Sequence, residues 1–337
     1  MLSYGFYNYY ILTKDKIKSI INNNEFTVDM NNFIQKTYYY TNKYMDWKHT
    51  LRLDLDLDKM NNSQRLLLIA NHSNLTDFVH LFYLMNILFP DHKILGVTLK
   101  MFGNAGIPYI SKELKKHHIL LEGNFEKDKI FIENRINENK DKKTIMLLFP
   151  EGSMYKQSYV KKSIDWCKKN NLKMFKETLC PRSKGLYTIL SGYKPDYVIQ
   201  GLLSFKDDPD RVKGNEYYHI LENKFPLLCD VELYESNMID IFNSSNDLED
   251  FEKKLYDYWY DIDDKIVRKY NSIRKLHKTI QENRQLFYDY GHHNNKLLMD
   301  IYNYMILIVP FIYYKYGFKT GTVTAIFIFL FYKYYVN

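Results

Sequence analysis

The sequence predicts an α/β fold: a central mixed sheet flanked by helices, with a C-terminal hydrophobic membrane hairpin. Three observations carry this. Short unbroken apolar runs at residues 66–70 (LLLIA), 119–121 (ILL) and 147–149 (LLF) fit strands buried on both faces better than amphipathic helices. Segments of helical spacing lie between them, as where Phe78, Val79, Leu81, Phe82, Leu84, Met85 and Leu88 recur up to Pro90. Two strongly apolar runs, 301–314 and 322–335, close the chain.

Bulk properties bound the function. The chain has 337 residues, enough for one large or two small domains. Its net charge is +7, from 47 Lys and Arg against 40 Asp and Glu, which suits an anionic membrane or phosphate-bearing substrates, and equally nucleic acid. The positive charge is spread among acidic residues and no nucleic-acid-binding module is present, so no nucleic-acid partner is expected. The three cysteines, Cys167, Cys180 and Cys229, are odd in number and lack metal spacing, which predicts reduced thiols in a cytosol-facing protein.

In chain order, residues 1–12 are apolar and aromatic but too short to span a bilayer. Leu51, Leu53, Leu55 and Leu57 alternate with Arg52, Asp54, Asp56 and Asp58, the pattern of a strand with one wet face. The three aspartates also have the look of a metal site, but an exposed strand face explains them and no metal is expected. Residues 93–100 form a second strand and 119–121 a third. A Lys- and Asn-rich helix leads into the strand at 144–149, residues 156–170 form a basic helix, and 196–203 form the next strand. Residues 248–269 form an acidic, aromatic helix.

The run at 66–70 ends in Asn71-His72-Ser73-Asn74-Leu75-Thr76-Asp77, with Thr76 or Asn74 able to cap the helix that follows. In a regular helix, residues five apart turn roughly 500°, or 140° away from each other. A loop histidine followed by a first-turn aspartate escapes that limit. Asp77 can then fold back, accept the His72 ring N–H and fix which nitrogen takes a proton. A surface histidine beside an aspartate that offsets the helix dipole is the plain alternative.

A second apolar run breaks into Phe149-Pro150-Glu151-Gly152-Ser153. Together the two turns resemble the glycerolipid acyltransferase family, with its NH-x4-D and FPEG-S/T motifs. Residues 172–186, LKMFKETLCPRSKGL, resemble a stretch of its branch that acylates lysophosphatidic acid, lysocardiolipin and other lysophospholipids. The likeness covers about residues 60–270. It implies that His72 is the general base and Asp77 its orienting carboxylate. It places Glu151, Gly152, Arg182, Lys184 and Asn71 in substrate binding, the two cations at phosphates of the acceptor or of coenzyme A. Gly123 stands where the family usually has an arginine, and Met154 replaces another. Lys112, Lys115, Lys116, Lys127 or Lys129 is then left to supply the missing charge.

On this resemblance the chain divides into an N-terminal extension (1–60), an acyltransferase catalytic domain (61–275), a polar linker helix (276–300) and a membrane-associated hairpin (301–337). Each arm of the hairpin is about 21 Å long as a helix, short of the roughly 30 Å hydrocarbon core, so marginal spans or a re-entrant pair are expected. The implied reaction is acyl transfer from acyl-CoA, a co-substrate rather than a cofactor, to the free hydroxyl of lysophosphatidic acid or another lysophospholipid at a membrane. A catalytically idle membrane adaptor and a lipid or thioester hydrolase are the alternatives.

Overall fold

β2 (Arg65–Ala70) is the middle of the fold: every residue from Leu66 to Ala70 is buried. Leu66, Leu68 and Ala70 point into one apolar cluster, and Leu67 and Ile69 into another. That is the alternation a strand imposes, with both faces covered. The computed structural model describes residues 48–74, 77–99, 118–206 and 228–284. The chain divides into two compact units, one of residues 28–216 and 225–277, the other of residues 1–27, 217–224 and 278–337. The first unit holds the sheet and its core.

In order, the described elements are β1 (Lys48–Asp54), α1 (Leu57–Asn61), β2, α2 (Asp77–Leu88), β3 (Lys93–Leu99), β4 (His118–Leu121), α3 (Phe125–Glu138) and β5 (Thr144–Leu148). They continue with α4 (Gln157–Lys169), α5 (Ser183–Tyr193), β6 (Tyr197–Phe205), β7 (Leu228–Ser236), α6 (Met238–Asn243) and α7 (Leu248–Arg284). The seven strands stand in the order β1-β7-β6-β2-β5-β3-β4. β6 and β7 pair antiparallel and every other neighbouring pair is parallel, so the sheet is mixed.

One cluster joins Met60 of α1 and Leu81, Phe82 and Met85 of α2 to the sheet. The opposite face carries Ile132 of α3, Ile189 and Leu190 of α5, and Phe251 and Leu255 of α7. A third cluster packs Trp259, Ile262, Ile266 and Tyr270 of α7 against Leu202, Cys167 and Phe175. Tyr193, at the end of α5, bonds the Thr144 hydroxyl at 2.8 Å and donates toward the Leu66 and Thr144 carbonyls. This seats α5 against β2 and β5, and burial pushes its phenol pKa up.

Three sequence expectations change in detail. The Leu/Asp alternation runs to Asp58, yet the strand ends at Asp54, because the Asp56 carboxylate accepts the Lys59 N–H and starts α1. Where the sequence predicts a compact basic turn at 181–185, α5 begins at Ser183, with Arg182 as its cap residue. The acidic helix continues past 269 to Arg284. β7 is a strand not expected from the sequence, and its Val231 and Leu233 are buried in the core. Its alternate residues Asp230 and Glu232 are taken up by Lys269 of α7, at 2.9 Å each. No helix among the described residues is long and apolar enough to cross a membrane. The expected hairpin at 301–337, the N-terminal extension to residue 47 and Lys112, Lys115 and Lys116 lie outside the described residues.

Candidate active site

β2 and β5 are parallel neighbours in a register that pairs Ile69 with Leu148. Three residues beyond that pair lie His72 on one strand and Glu151 on the other. Parallel pairing therefore delivers both turns side by side at the carboxyl ends of the strands, where open α/β sheets place ligands.

His72 Nδ1 is 3.1 Å from Asp77 Oδ2. Asp77 is fully buried, while the His72 side chain is 18% exposed. The same oxygen accepts the backbone N–H groups of Ser73 at 2.5 Å and Asn74 at 2.8 Å, so the carboxylate shapes the turn as well as orienting the ring. An ionised carboxylate only accepts. The ring nitrogen it meets is therefore the one bearing hydrogen, and Nε2 keeps its lone pair. Phe149 stacks on the imidazole at 4.1 Å between centroids and 15° between planes, fixing the ring from one side. Nothing in the sequence beyond its place in the FPEG motif marks Phe149 for this role.

Glu151 is 2% exposed. One of its oxygens accepts the His72 backbone N–H at 2.9 Å and the other the Leu179 N–H at 2.8 Å. Asn71 is fully buried. Its amide donates to Ser73 Oγ and the Leu203 carbonyl, and its oxygen accepts the Leu203 N–H at 2.8 Å. Both residues are expected in substrate binding, and both also brace the two turns, Asn71 by tying the end of β2 to β6.

Gly152 has φ +65°, in the region that favours glycine. A Cβ there would stand 2.7 Å from Arg182 Nε and 2.8 Å from its Cδ. The Arg182 side chain thus lies across Gly152, and its backbone N–H donates to the Pro150 carbonyl at 2.7 Å. Arg182 and Lys184 are both exposed. The Lys184 ammonium stands 5.7 Å over the Phe125 ring, which brings the first turn of α5 to the turn around Gly123. That turn has φ +81° at Gly123 and is held by Asp128, which accepts the N–H groups of Glu122 at 2.6 Å and Gly123 at 3.1 Å. An arginine at 123 would be strained in this conformation.

Two further braces escaped the sequence reading. Tyr155 N–H donates to the His72 carbonyl at 2.8 Å. Asp263, on α7, accepts the N–H groups of Lys176, Glu177 and Thr178 at 2.9, 2.8 and 2.7 Å, and the Thr178 hydroxyl. Its only sequence signal was a place in the acidic run of α7.

No family model matches the chain. It is 30% identical over 135 residues to a 2-acyl-1-lysophosphatidylinositol acyltransferase of Saccharomyces cerevisiae, covering 38% of this chain and 33% of that protein. It is 29% identical over 148 residues to lysophosphatidylinositol acyltransferase 10 of Caenorhabditis elegans, covering 42% and 37%. The chain thus matches about a third of the length of these curated relatives. Over these segments the chain is distantly similar to lysophospholipid acyltransferases.

Proposed function

We propose that this chain transfers a fatty acyl group from acyl-CoA to the free hydroxyl of a lysophospholipid, at a membrane. The observation that carries the reading is the pair His72 and Asp77, 3.1 Å apart, with the carboxylate buried and the imidazole reaching solvent. That is an oriented general base.

His72 Nε2 removes the proton from the acceptor hydroxyl as its oxygen attacks the thioester carbonyl. Asp77 holds the ring and stabilises the imidazolium that forms. Collapse of the tetrahedral intermediate expels coenzyme A as a thiolate, which recovers the proton, so no acyl-enzyme is needed. Arg182 and Lys184, on the side of the FPEG turn, serve the phosphate groups of acceptor or coenzyme A, Arg182 with two-pronged geometry and Lys184 as a point charge. The names of the two relatives make lysophosphatidylinositol the first acceptor to try, ahead of lysophosphatidic acid.

The test is acyl transfer from labelled oleoyl-CoA to lysophosphatidylinositol, lysophosphatidic acid and lysophosphatidylcholine, in membranes carrying the intact chain or His72→Ala. A labelled diacyl product that disappears in the variant supports the reading and names the acceptor. Fatty acid released without acceptor makes the protein a hydrolase. Neither product, from folded protein, leaves the adaptor.

A further inference from the structure

The basic helix α4 and the loop after it carry a local excess of positive charge. Residues 156–176, which are α4 and the loop behind it, hold seven lysines and one acid, Asp165. Lys161, Lys162, Lys168 and Lys169 are exposed on α4, and none of them forms an ion pair among the described residues. Lys173 and Lys176 are exposed on the loop. Within this basic field Trp166 is 48% exposed and Met174 50%, whereas their chain neighbours Cys167 and Phe175 are buried in the third cluster.

The arrangement is ordered. Trp166 follows Lys162 by four residues and precedes Lys169 by three, so the three share one stripe of the helix. The Tyr155 hydroxyl donates to the Lys176 carbonyl at 2.5 Å, and Phe175 is buried, so Met174 is presented from an anchored loop. The segment is tied to the candidate site's turns at two points. Tyr155 N–H holds the His72 carbonyl at 2.8 Å, and Ser163 on α4 accepts the Cys180 N–H at 2.9 Å, one residue from the Leu179 N–H that Glu151 holds.

We propose that residues 156–176 are a docking surface for an anionic membrane, with the lysines at the headgroups and Trp166 and Met174 entering the interface. Exposed lysines are drawn to the negative potential of anionic lipid, and an indole belongs at the boundary between headgroups and chains. An exposed Met174 gains by leaving water for an apolar layer, which nucleic acid does not offer. The choice of lipid over nucleic acid also rests on the acyl-transfer reading. The surface itself rests on charge and exposure.

The experiment uses the full chain reconstituted in phosphatidylcholine vesicles with brominated acyl chains, with or without about one third phosphatidylserine. The Trp166 signal is the difference in fluorescence between the wild type and Trp166→Phe. Trp166 is expected to be quenched in anionic vesicles and much less so without phosphatidylserine or in about 1 M salt, where screening shortens to about 3 Å. Replacing Lys161, Lys162, Lys168 and Lys169 by Gln should weaken docking by about fivefold per lysine, with the circular dichroism unchanged. Quenching that ignores phosphatidylserine, or survives the fourfold replacement, overturns the proposal. So does lysine-dependent binding of a labelled single-stranded oligonucleotide without bromine quenching, which would make the partner nucleic acid. The quenching requires no turnover, so the docking surface and the acyl-transfer reading fail separately.

Discussion

Glu151 and His72 occupy equivalent places past the paired ends of β5 and β2, and the Glu151 carboxylate holds the His72 backbone N–H at 2.9 Å. Its other oxygen holds Leu179 N–H, at 2.8 Å, on the loop leading to Arg182. One buried side chain therefore sets the spacing between the proposed base and the candidate phosphate site. A Glu151→Gln amide accepts one of these N–H groups but turns a donor toward the other, and an unpaired buried donor costs about 1–3 kcal/mol. Glu151→Ala frees both and should cost about twice that in thermal or urea unfolding. A positioning role also predicts that acyl transfer falls in Glu151→Gln for every acceptor alike, whereas a direct acceptor contact would change the ranking of acceptors.

Asp77→Asn tests the charge beside the proposed base. The amide oxygen is held at the Oδ2 position by the Ser73 and Asn74 N–H groups and by His72 Nδ1, so the NH2 group takes the buried Oδ1 position, which has no partner among the described residues. The ring stays oriented, but the negative charge that would stabilise its imidazolium is gone. We expect kcat to fall by about 10²–10³, part of what general-base catalysis contributes, with a small change in KM for acyl-CoA. Full activity in a folded Asp77→Asn protein would remove Asp77 from the mechanism.

The residues that were legible in the sequence are those whose function depends on chain-local pattern. β2 and β5 announce themselves as apolar runs, and the loop-to-helix step from His72 to Asp77 follows from helical geometry. What escaped depends on partners far apart in the chain. β7 lies beside β1, about 180 residues away in register, and its alternating charges are matched by a helix beyond it. Nothing near Glu151 or Asn71 in sequence shows that the atoms filling their hydrogen bonds belong to residues 179 and 203. That these two side chains brace the turns is therefore legible only in the folded chain.

Gly152→Ala probes the contact between the FPEG turn and Arg182. The φ of +65° costs a non-glycine residue about 1 kcal/mol, and the new methyl displaces the Arg182 side chain from 2.7 Å. If Arg182 grips a substrate phosphate from that position, Gly152→Ala and Arg182→Ala should each raise the same KM by about tenfold. The double variant should then show little further effect, because both changes remove one interaction. Additive losses would place Arg182 outside the binding site.

His92 predicts a pH dependence of stability. Its ring is 1% exposed. Nε2 meets the Ser63 carbonyl at 3.1 Å, and buried Nδ1 has no partner among the described residues. Burial, the main cause, and the nearby Lys143 charge hold its pKa below the ordinary 6.5. The unfolded chain therefore binds this proton first as pH falls. The stability from neutral His92 is complete above about pH 7 and is lost as pH drops through 6.5 toward the folded value. His92→Gln, which can still donate to Ser63, should flatten this part of the Tm profile between about pH 7.5 and 5. An unchanged slope would show that His92 titrates alike in both states.

Asp263 never approaches the base, yet activity should depend on it. Its carboxylate gathers three consecutive N–H groups, from Lys176 to Thr178, and the next one, Leu179, belongs to Glu151. Four successive amides thus lie on two buried carboxylates, one from α7 and one from the FPEG turn, and the strip between them fixes where residues 180–182 begin. In Asp263→Asn an amide hydrogen faces at least one of these donors, costing about 1–3 kcal/mol. The strip is then anchored by Glu151 alone. We expect kcat/KM to fall about tenfold, chiefly through KM, with the pH profile of His72-dependent transfer unmoved because the base and Asp77 are untouched. A shift in that profile would mean that Asp263 acts electrostatically on the base rather than by holding the loop, and an unaltered KM would mean that the loop does not position the phosphate site.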